Sequence, residues 1–249
     1  MKTSDALLAA IEAAAVRGWS AFEQIDVEGW LYRRSAGGSV RANSVATLQF
    51  SGRDVGAAIG RVEDLARGRG RVACFAISDV SVPTDLDARL EARGYLRGAP
   101  HVTMVKAIQA APQPPPYMEI GDGPSPGWLA AYVSGLEENR RATAPQLLKG
   151  LPKSARFVSA LEDGRVISSG LTIVDGDVAS VQCMATVPEA RRRGGSERVL
   201  RAIETIAGVK GAKHLYLQTG SDNEAARTLY GRYGFRVIGH YHTRTKSVG

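Results

Sequence analysis

The feature that most constrains this chain is the run from Val178 to Leu200. An apolar stretch, a proline, three arginines, two glycines and a helical pattern follow one another there without a break. Val178 to Val187 reads as a strand, and Pro188 ends it because proline has no N–H to give to a ladder. Beyond the turn, Val199, Leu200, Ile203, Ile206 and Ala207 fall on one face of a helix. The first N–H groups of such a helix have no intrahelical partners and carry the positive end of its dipole. Gly194 and Gly195 let the backbone approach a bulky anion, and Arg191, Arg192 and Arg193 add formal charge. Strand, basic turn and helix start therefore make a cradle for a phosphate-bearing ligand.

The rest of the chain reads as alternating strands and helices. Ser4 or Asp5 caps a first helix with Leu7, Leu8, Ile11, Ala14 and Ala15 on one face. Strands are expected at Trp30–Arg34 and Val45–Leu48, around a Gly37-Gly38 turn. A helix follows from Ala57 to Arg67, then a strand at Val72–Ile77. Thr84 is read as the cap of a helix from Asp85 to Arg93 that stops at Gly94, and His101–Val105 closes this half. Gln109 to Pro116 holds four prolines and no apolar periodicity, which suits a semi-rigid spacer. The domains are therefore expected at 1–108 and 117–249, with 109–116 as linker.

The second half opens with a strand at Tyr117–Ile120. Ser125 and Pro126 then supply an N-cap and a first-turn proline for a helix through Leu136. Arg156–Leu161, Val166–Val174 and Val178–Val187 are joined by turns rich in Asp and Gly, so an antiparallel meander is expected. Leu215–Thr219 reads as a strand, Asn223–Tyr233 as a helix stopped by Gly234, and Phe235–Thr245 as the last strand.

Two of these stretches carry a resemblance. Arg191-Arg192-Arg193-Gly194-Gly195-Ser196 resembles the R/Q-x-x-G-x-G/A pyrophosphate loop of the GNAT superfamily of acetyl-CoA-dependent N-acetyltransferases, with Ser196 in place of Gly or Ala. Asn223 to Phe235 is similar to the second signature of that family, N-x-x-A-x-x-L-Y-x-x-x-G-F. The resemblance covers Tyr117 to Lys246. It implies an α/β (α+β) fold with a mixed, largely antiparallel sheet flanked by helices.

The first half resembles the second when Gly94 is laid on Gly234. Tyr95 then falls on Phe235, Leu90 on Tyr230 and Pro83 on Asn223. Arg41 to Val45 also resembles a run seen in tandem members of the superfamily. Arg53 to Ala58 spells R-x-x-G-x-A, but without the leading proline or a long apolar strand directed into it, and is read as coincidence. The expected architecture is two GNAT-like domains in tandem, the first degenerate.

The resemblance also implies a reaction: transfer of acetyl from acetyl-CoA to a primary amine of a small-molecule or peptide acceptor, by direct attack. It gives the Arg191–Ser196 loop to the pyrophosphate, Asn223 to the pantetheine arm and Tyr230 to the sulfur as general acid. Met184, Ala185 and Thr186, at the end of the preceding strand, would pair with that arm and polarise the carbonyl. An N–H aimed at a developing oxyanion contributes about 3 kcal/mol. Asn223 and Tyr230 are seven residues apart, two helical turns, and so share a face. A phenol near pKa 10 is a reasonable donor to a thiolate of similar basicity. No general base stands out: the position at which some family members carry Glu is Gln218, and Glu137 and Glu138 qualify by location alone. Two other readings stay beside this one, a mycothiol-synthase-like acyltransferase and a non-catalytic acyl-CoA-binding sensor or interaction protein.

Composition narrows the partners. A net charge of +7 favours anionic ligands, but aromatic residues are only 6% and are not interleaved with basic ones, so nucleic acid is not the expected partner. Cys74 and Cys183 are too few for a disulfide framework or a cysteine zinc site, and both read as buried thiols. His240 and His242 share a strand face without making a metal site, and no metal is expected. No apolar run has the length of a membrane span, and acidic Asp5 and Glu12 do not suit a signal peptide. A cytoplasmic protein is expected.

Overall fold

The computed structural model describes residues 3–19, 21–35, 39–109 and 113–249. In chain order the elements begin with α1 (Thr3–Gly18), β1 (Glu23–Val27), β2 (Trp30–Arg34), β3 (Val45–Ala46), α2 (Val55–Arg67) and β4 (Ala73–Ser78). Then come α3 (Leu86–Ala92), β5 (Leu96–Arg97), β6 (His101–Ala107), β7 (Met118–Gly121), α4 (Pro126–Ser134), α5 (Glu138–Arg141) and α6 (Ala144–Leu148). The remainder is β8 (Arg156–Glu162), β9 (Arg165–Thr172), β10 (Val174–Asp175), β11 (Val178–Ser180), β12 (Gln182–Thr186), α7 (Gly195–Val209), β13 (His214–Gly220), α8 (Glu224–Arg232) and β14 (Arg236–Lys246). No helix among the described residues is long and apolar enough to cross a membrane.

Contacts divide the chain into two compact units, and neither is a continuous half of it. One comprises Met1–Thr103, Gln218–Thr228 and Val237–Gly249; the other comprises Met104–Leu217 and Leu229–Arg236. The expected 109–116 boundary lies inside the second unit, and of that linker residues 110–112 are outside the described residues. The first unit is discontinuous because most of the last strand belongs with it. β14 pairs antiparallel with β4 from Tyr241↔Ser78 to Lys246↔Ala73.

In the first unit the strands run β1–β2–β3–β4–β14. Trp30, Phe75 and Tyr95 meet edge-on at 5.6 Å spacings in its core, between the sheet and the buried Ile59 and Val62 of α2. The expected Gly37-Gly38 turn lies outside the described residues. β1 was not expected from its charged, alternating sequence. It is held at Glu23 by ion pairs to Arg34 and Arg69. The predicted Thr84 cap is not seen: Asp85 takes the N-cap position of α3 without a side-chain bond.

In the second unit β7, β8, β9 and β12 form an antiparallel sheet, and β10, β11 and β13 pair separately. The hairpin between β8 and β9 turns through Asp163 and Gly164, both at positive φ (49° and 75°), as a two-residue turn requires. Trp128 of α4 is fully buried, edge-on to Phe157 at 4.9 Å, and its Nε1 donates to Gly170 O at 2.8 Å. Losing a ring so placed typically costs about 3–5 kcal/mol.

The strand expected from Val178 to Val187 is two strands. β11 lies parallel to β13, Val181 N–H donates to Tyr216 O at 2.7 Å, and the chain then joins the other sheet as β12 beside β9. An apolar run carries no mark of such a change of partner, because both strands are apolar for the same reason. Val166–Val174 divides likewise, into β9 and β10.

Candidate active site

The predicted cradle lies in the second unit, and its parts are built as follows. β12 ends at Thr186, Pro188–Ala190 makes one turn of 3-10 helix, and α7 starts at Gly195. Arg192 (φ 63°) and Gly194 (φ 78°) both adopt the left-handed conformation, which reverses the chain into the helix. A Cβ on Gly194 would meet nothing within 4 Å, so this glycine is required by its backbone angle. Gly195 is favoured by close packing: a Cβ there would sit 3.1 Å from the Ser168 Cβ on β9. The first bond of α7 runs from Arg198 N–H to Gly194 O at 3.1 Å, so the amides of Gly195, Ser196 and Glu197 precede the helical ladder.

Ser196 has a function in this turn that Gly or Ala would lack. Its Oγ lies 2.8 Å from Thr186 Oγ1, and Thr186 in turn shares a short hydrogen bond with Ser168 Oγ. Three hydroxyls thus join β9, the end of β12 and the first turn of α7. Of the three arginines, Arg193 forms an ion pair with Glu162 at 2.7 Å, while Arg191 and Arg192 are exposed. Glu162 was not anticipated from sequence, because strand β8 is far from the loop in the chain.

The strand leading into the turn is irregular where the carbonyl-polarising residues were placed. Ala185 and Thr186 are in register with Ser169 and Ser168, but the pairing shifts between Gln182 and Ala185. Cys183 (φ 52°) and Met184 form this bulge. Gly170 makes room for it: a Cβ there would come within 2.8 Å of Met184 Sδ and would collide with Val199 of α7. The Met184 side chain thus lies against Gly170. Cys183 is half-buried rather than buried; Cys74 is buried, and burial pushes its thiol up to about 12.

α8 supplies the second signature. Asn223 caps it: its Oδ1 accepts the Ala226 N–H at 3.1 Å, which leaves its amide N–H₂ as the donor. Tyr230 is buried, with its ring edge-on to Phe235 at 5.7 Å. Burial pushes the phenol up to about 12, above the ordinary value from which a match to a thiolate was expected. At neutral pH it is therefore a firmly protonated donor. Gly234 (φ 93°) ends the helix as predicted.

Glu137 and Glu138 are exposed at the start of α5, beyond the end of α4. His242 Nε2 lies 2.8 Å from Asp87, and His240 Nδ1 lies 3.4 Å from Asp79. In the first unit Arg53–Ala58 begins a helix as well, but Asp54 caps it by accepting the Ala57 N–H at 3.1 Å. A carboxylate already stands where a phosphate would bind.

Comparison with known proteins gives a consistent result. Residues 3–245 match the family described as probable histone acetyltransferase Rv0428c C-terminal. An uncharacterized N-acetyltransferase of Bacillus subtilis (strain 168), YobR, is 26% identical over 249 residues, covering 95% of this chain and 97% of its own. A GCN5-related N-acetyltransferase from Kribbella flavida superposes with a TM-score of 0.72 at 16% identity, over 97% of this chain and 96% of its own. A tandem GNAT protein from the clavulanic acid biosynthesis pathway superposes with a TM-score of 0.60 at 16% identity, covering 83% and 75% of the two chains. These structures share the mixed α/β fold.

Proposed function

The chain belongs to the GNAT-type N-acetyltransferase family described as probable histone acetyltransferase Rv0428c C-terminal, and from that membership we propose that it transfers the acetyl group of acetyl-CoA to a primary amine. The observation that carries the reading is the turn itself. Gly194 is held at φ 78°, Gly195 is packed against Ser168, and the first-turn amides of α7 stand behind three arginines. This arrangement suits a pyrophosphate, which prefers N–H groups and cations at a helix start.

In this reading Arg191–Ser196 bind the pyrophosphate and the Asn223 amide meets the pantetheine arm. The irregular end of β12 at Met184, continued by Ala185 and Thr186, orients the thioester and offers an N–H to its oxygen. The Tyr230 phenol stands by the sulfur and supplies the proton that the departing thiolate needs. A neutral amine attacks the carbonyl carbon directly, so the protein's task is orientation and proton management. We read residues 1–108 as the degenerate partner of a tandem pair and the acceptor as a small molecule or a peptide. Incubating the protein with acetyl-CoA and spermidine, tyramine or a lysine peptide, and following released thiol, tests the reading. Amine-dependent thiol release is expected; none with any amine would overturn it.

A further inference from the structure

Among the described residues, β1 is the terminal strand of the first unit's sheet and pairs with β2 alone. The two strands are joined by a two-residue turn, Glu28 and Gly29, both at positive φ (55° and 90°). Such a turn makes Val27 and Trp30 a hydrogen-bonded pair, and inward bonding then alternates along the ladder. Ile25 and Glu23 therefore bond to β2, while Gln24 and Asp26 turn their N–H and C=O groups to the open edge.

Beside that edge, between β1 and α2, lies an open groove of about 520 Å³. Ile25, Val27 and Leu65 give it an apolar floor, and Asp26, Glu28 and Asp64 stand around it. Two guanidiniums also border it, but both are engaged: Arg61 pairs with Glu28 and Arg69 with Glu23. Asp64 pairs with Arg67 at 2.5 Å, both of them exposed. Asp26 accepts the Gly29 N–H at 3.2 Å and has no cationic partner among the described residues.

We propose that this edge and groove bind an extended, basic peptide, which joins the sheet as a strand outside β1. The peptide main chain bonds to the outward N–H and C=O groups of Gln24 and Asp26, the mode of recognition by strand addition. Side chains of an added strand alternate between the two faces of the sheet. On β1 the half-buried Ile25 and buried Val27 mark the α2 face, and the exposed Gln24 and Asp26 mark the other. A peptide side chain on the α2 face enters the groove over Ile25 and Leu65, which suits a branched apolar residue. Its neighbour on the other face stands by Asp26, which suits lysine or arginine.

A second copy of this chain is the less suited occupant. β1 and its turn carry Glu23, Asp26 and Glu28 and no basic residue, so self-pairing brings carboxylates to both sides of the new ladder. Like charges across a ladder destabilise it, and acids on an edge strand discourage its self-association. A basic strand reverses the sign. The site lies wholly within the first unit, and the proposal stands or falls independently of acetyl transfer.

The test uses the full chain and a short fluorescein-labelled peptide of alternating lysine and valine, read by fluorescence anisotropy, with a glutamate–valine peptide as control. The chain's net charge of +7 attracts the control non-specifically, so a preference for lysine reports the site. Saturable binding of the lysine peptide is expected, about tenfold or more tighter than the control at low salt, with the gap closing as salt is added. Gln24→Pro removes one outward N–H and no ladder bond, and is expected to weaken binding at least about fivefold. Asp26→Asn keeps an acceptor for Gly29 and removes the charge, and is expected to weaken the lysine peptide about two- to fivefold without weakening the control. Circular dichroism checks folding; if Gln24→Pro fails to fold, Asp26→Asn decides. Equal binding of the two peptides, or binding that neither variant changes, would overturn the proposal. So would no binding at all, or a wild-type dimer that Gln24→Pro dissolves, which would give the edge to a second copy.

Discussion

Thr186 and Ser196 meet through their hydroxyls, Oγ1 and Oγ 2.8 Å apart, so the last residue of β12 is tied to the first turn of α7. Ser168 on β9 extends the chain of hydroxyls through its short bond to Thr186. The small residue expected at position 196 is thus polar for a reason. It fixes the pitch of the helix start against the strand that leads into it.

Replacing Ser196 by Ala keeps the room for a phosphate and removes this tie. A neutral hydrogen bond of this kind is worth about 1 kcal/mol. Acetyl-CoA affinity, measured by isothermal titration, is therefore expected to fall by a few-fold, with a drop of a few degrees in Tm. A tenfold or greater loss would mean that Ser196 Oγ itself contacts the ligand.

Arg193 and Glu162 suggest a pair of opposed substitutions. Their ion pair, 2.7 Å long, is largely exposed, and such pairs contribute little to stability, about 0–1 kcal/mol. Arg193→Glu should lower acetyl-CoA affinity at least about tenfold, since it brings a second carboxylate beside Glu162 and the phosphates. Glu162→Gln should do the reverse, raising affinity by up to about threefold at low salt, with the gain fading as salt screens it. Titrations at two ionic strengths, with circular dichroism as a check on folding, measure both effects. Equal affinities across the three proteins would remove Arg193 from the cradle.

What could be read from the sequence follows a physical division. Pro188, Gly194 and Gly234 were legible because each meets a backbone requirement that few other residues satisfy, and Gly195 because a small residue suits a close approach. Asn223 and Tyr230 were legible through the resemblance of Asn223 to Phe235 to the family's second signature. The hand-over at Val181 was not, because a run that changes sheets stays apolar on both sides of the change. Nor was the hydrogen bond from Gln218 Nε2 to Glu12 on α1, since the two residues are 206 apart in the chain. The Tyr230 environment was half legible: the residue was identified, but the rise to about 12 comes from burial that the sequence does not express.

That rise has a consequence for Tyr230. A general acid works while protonated, so its contribution is lost as pH rises through its pKa. With the phenol at about 12, no fall in rate from this group is expected up to about pH 10. Tyr230→Phe keeps the ring against Phe235 and removes the proton. Acetyl-CoA binding should persist while kcat drops about 10²-fold across the whole pH range. An alkaline limb near pH 9 that is present in wild type and absent in the Phe variant would show that the phenol is far more acidic than its burial implies.

The last prediction is that the chain binds one molecule of acetyl-CoA. Two helices have a glycine and arginine beside their N-termini, and the structure separates them. At α2, Asp54 occupies the N-cap and accepts the Ala57 N–H at 3.1 Å, so a negative charge already satisfies that helix start. At α7 the N-cap is Gly194 at φ 78°, which has no side chain to offer, and Arg191 to Arg193 precede it. An incoming phosphate would be repelled at the first position and drawn in at the second. The comparison extends to the helices that follow. α8 offers the Asn223 amide and the Tyr230 phenol, whereas α3 offers the buried Leu90 at the place of the phenol and is preceded by Pro83, which has neither an amide side chain nor an N–H. Titration of the intact protein should therefore give a stoichiometry near one per chain. Asp54→Asn should leave both stoichiometry and affinity unchanged, while Arg193→Glu lowers affinity at the single site. Two sites per chain, or a loss of binding on changing Asp54, would show that residues 1–108 hold a coenzyme.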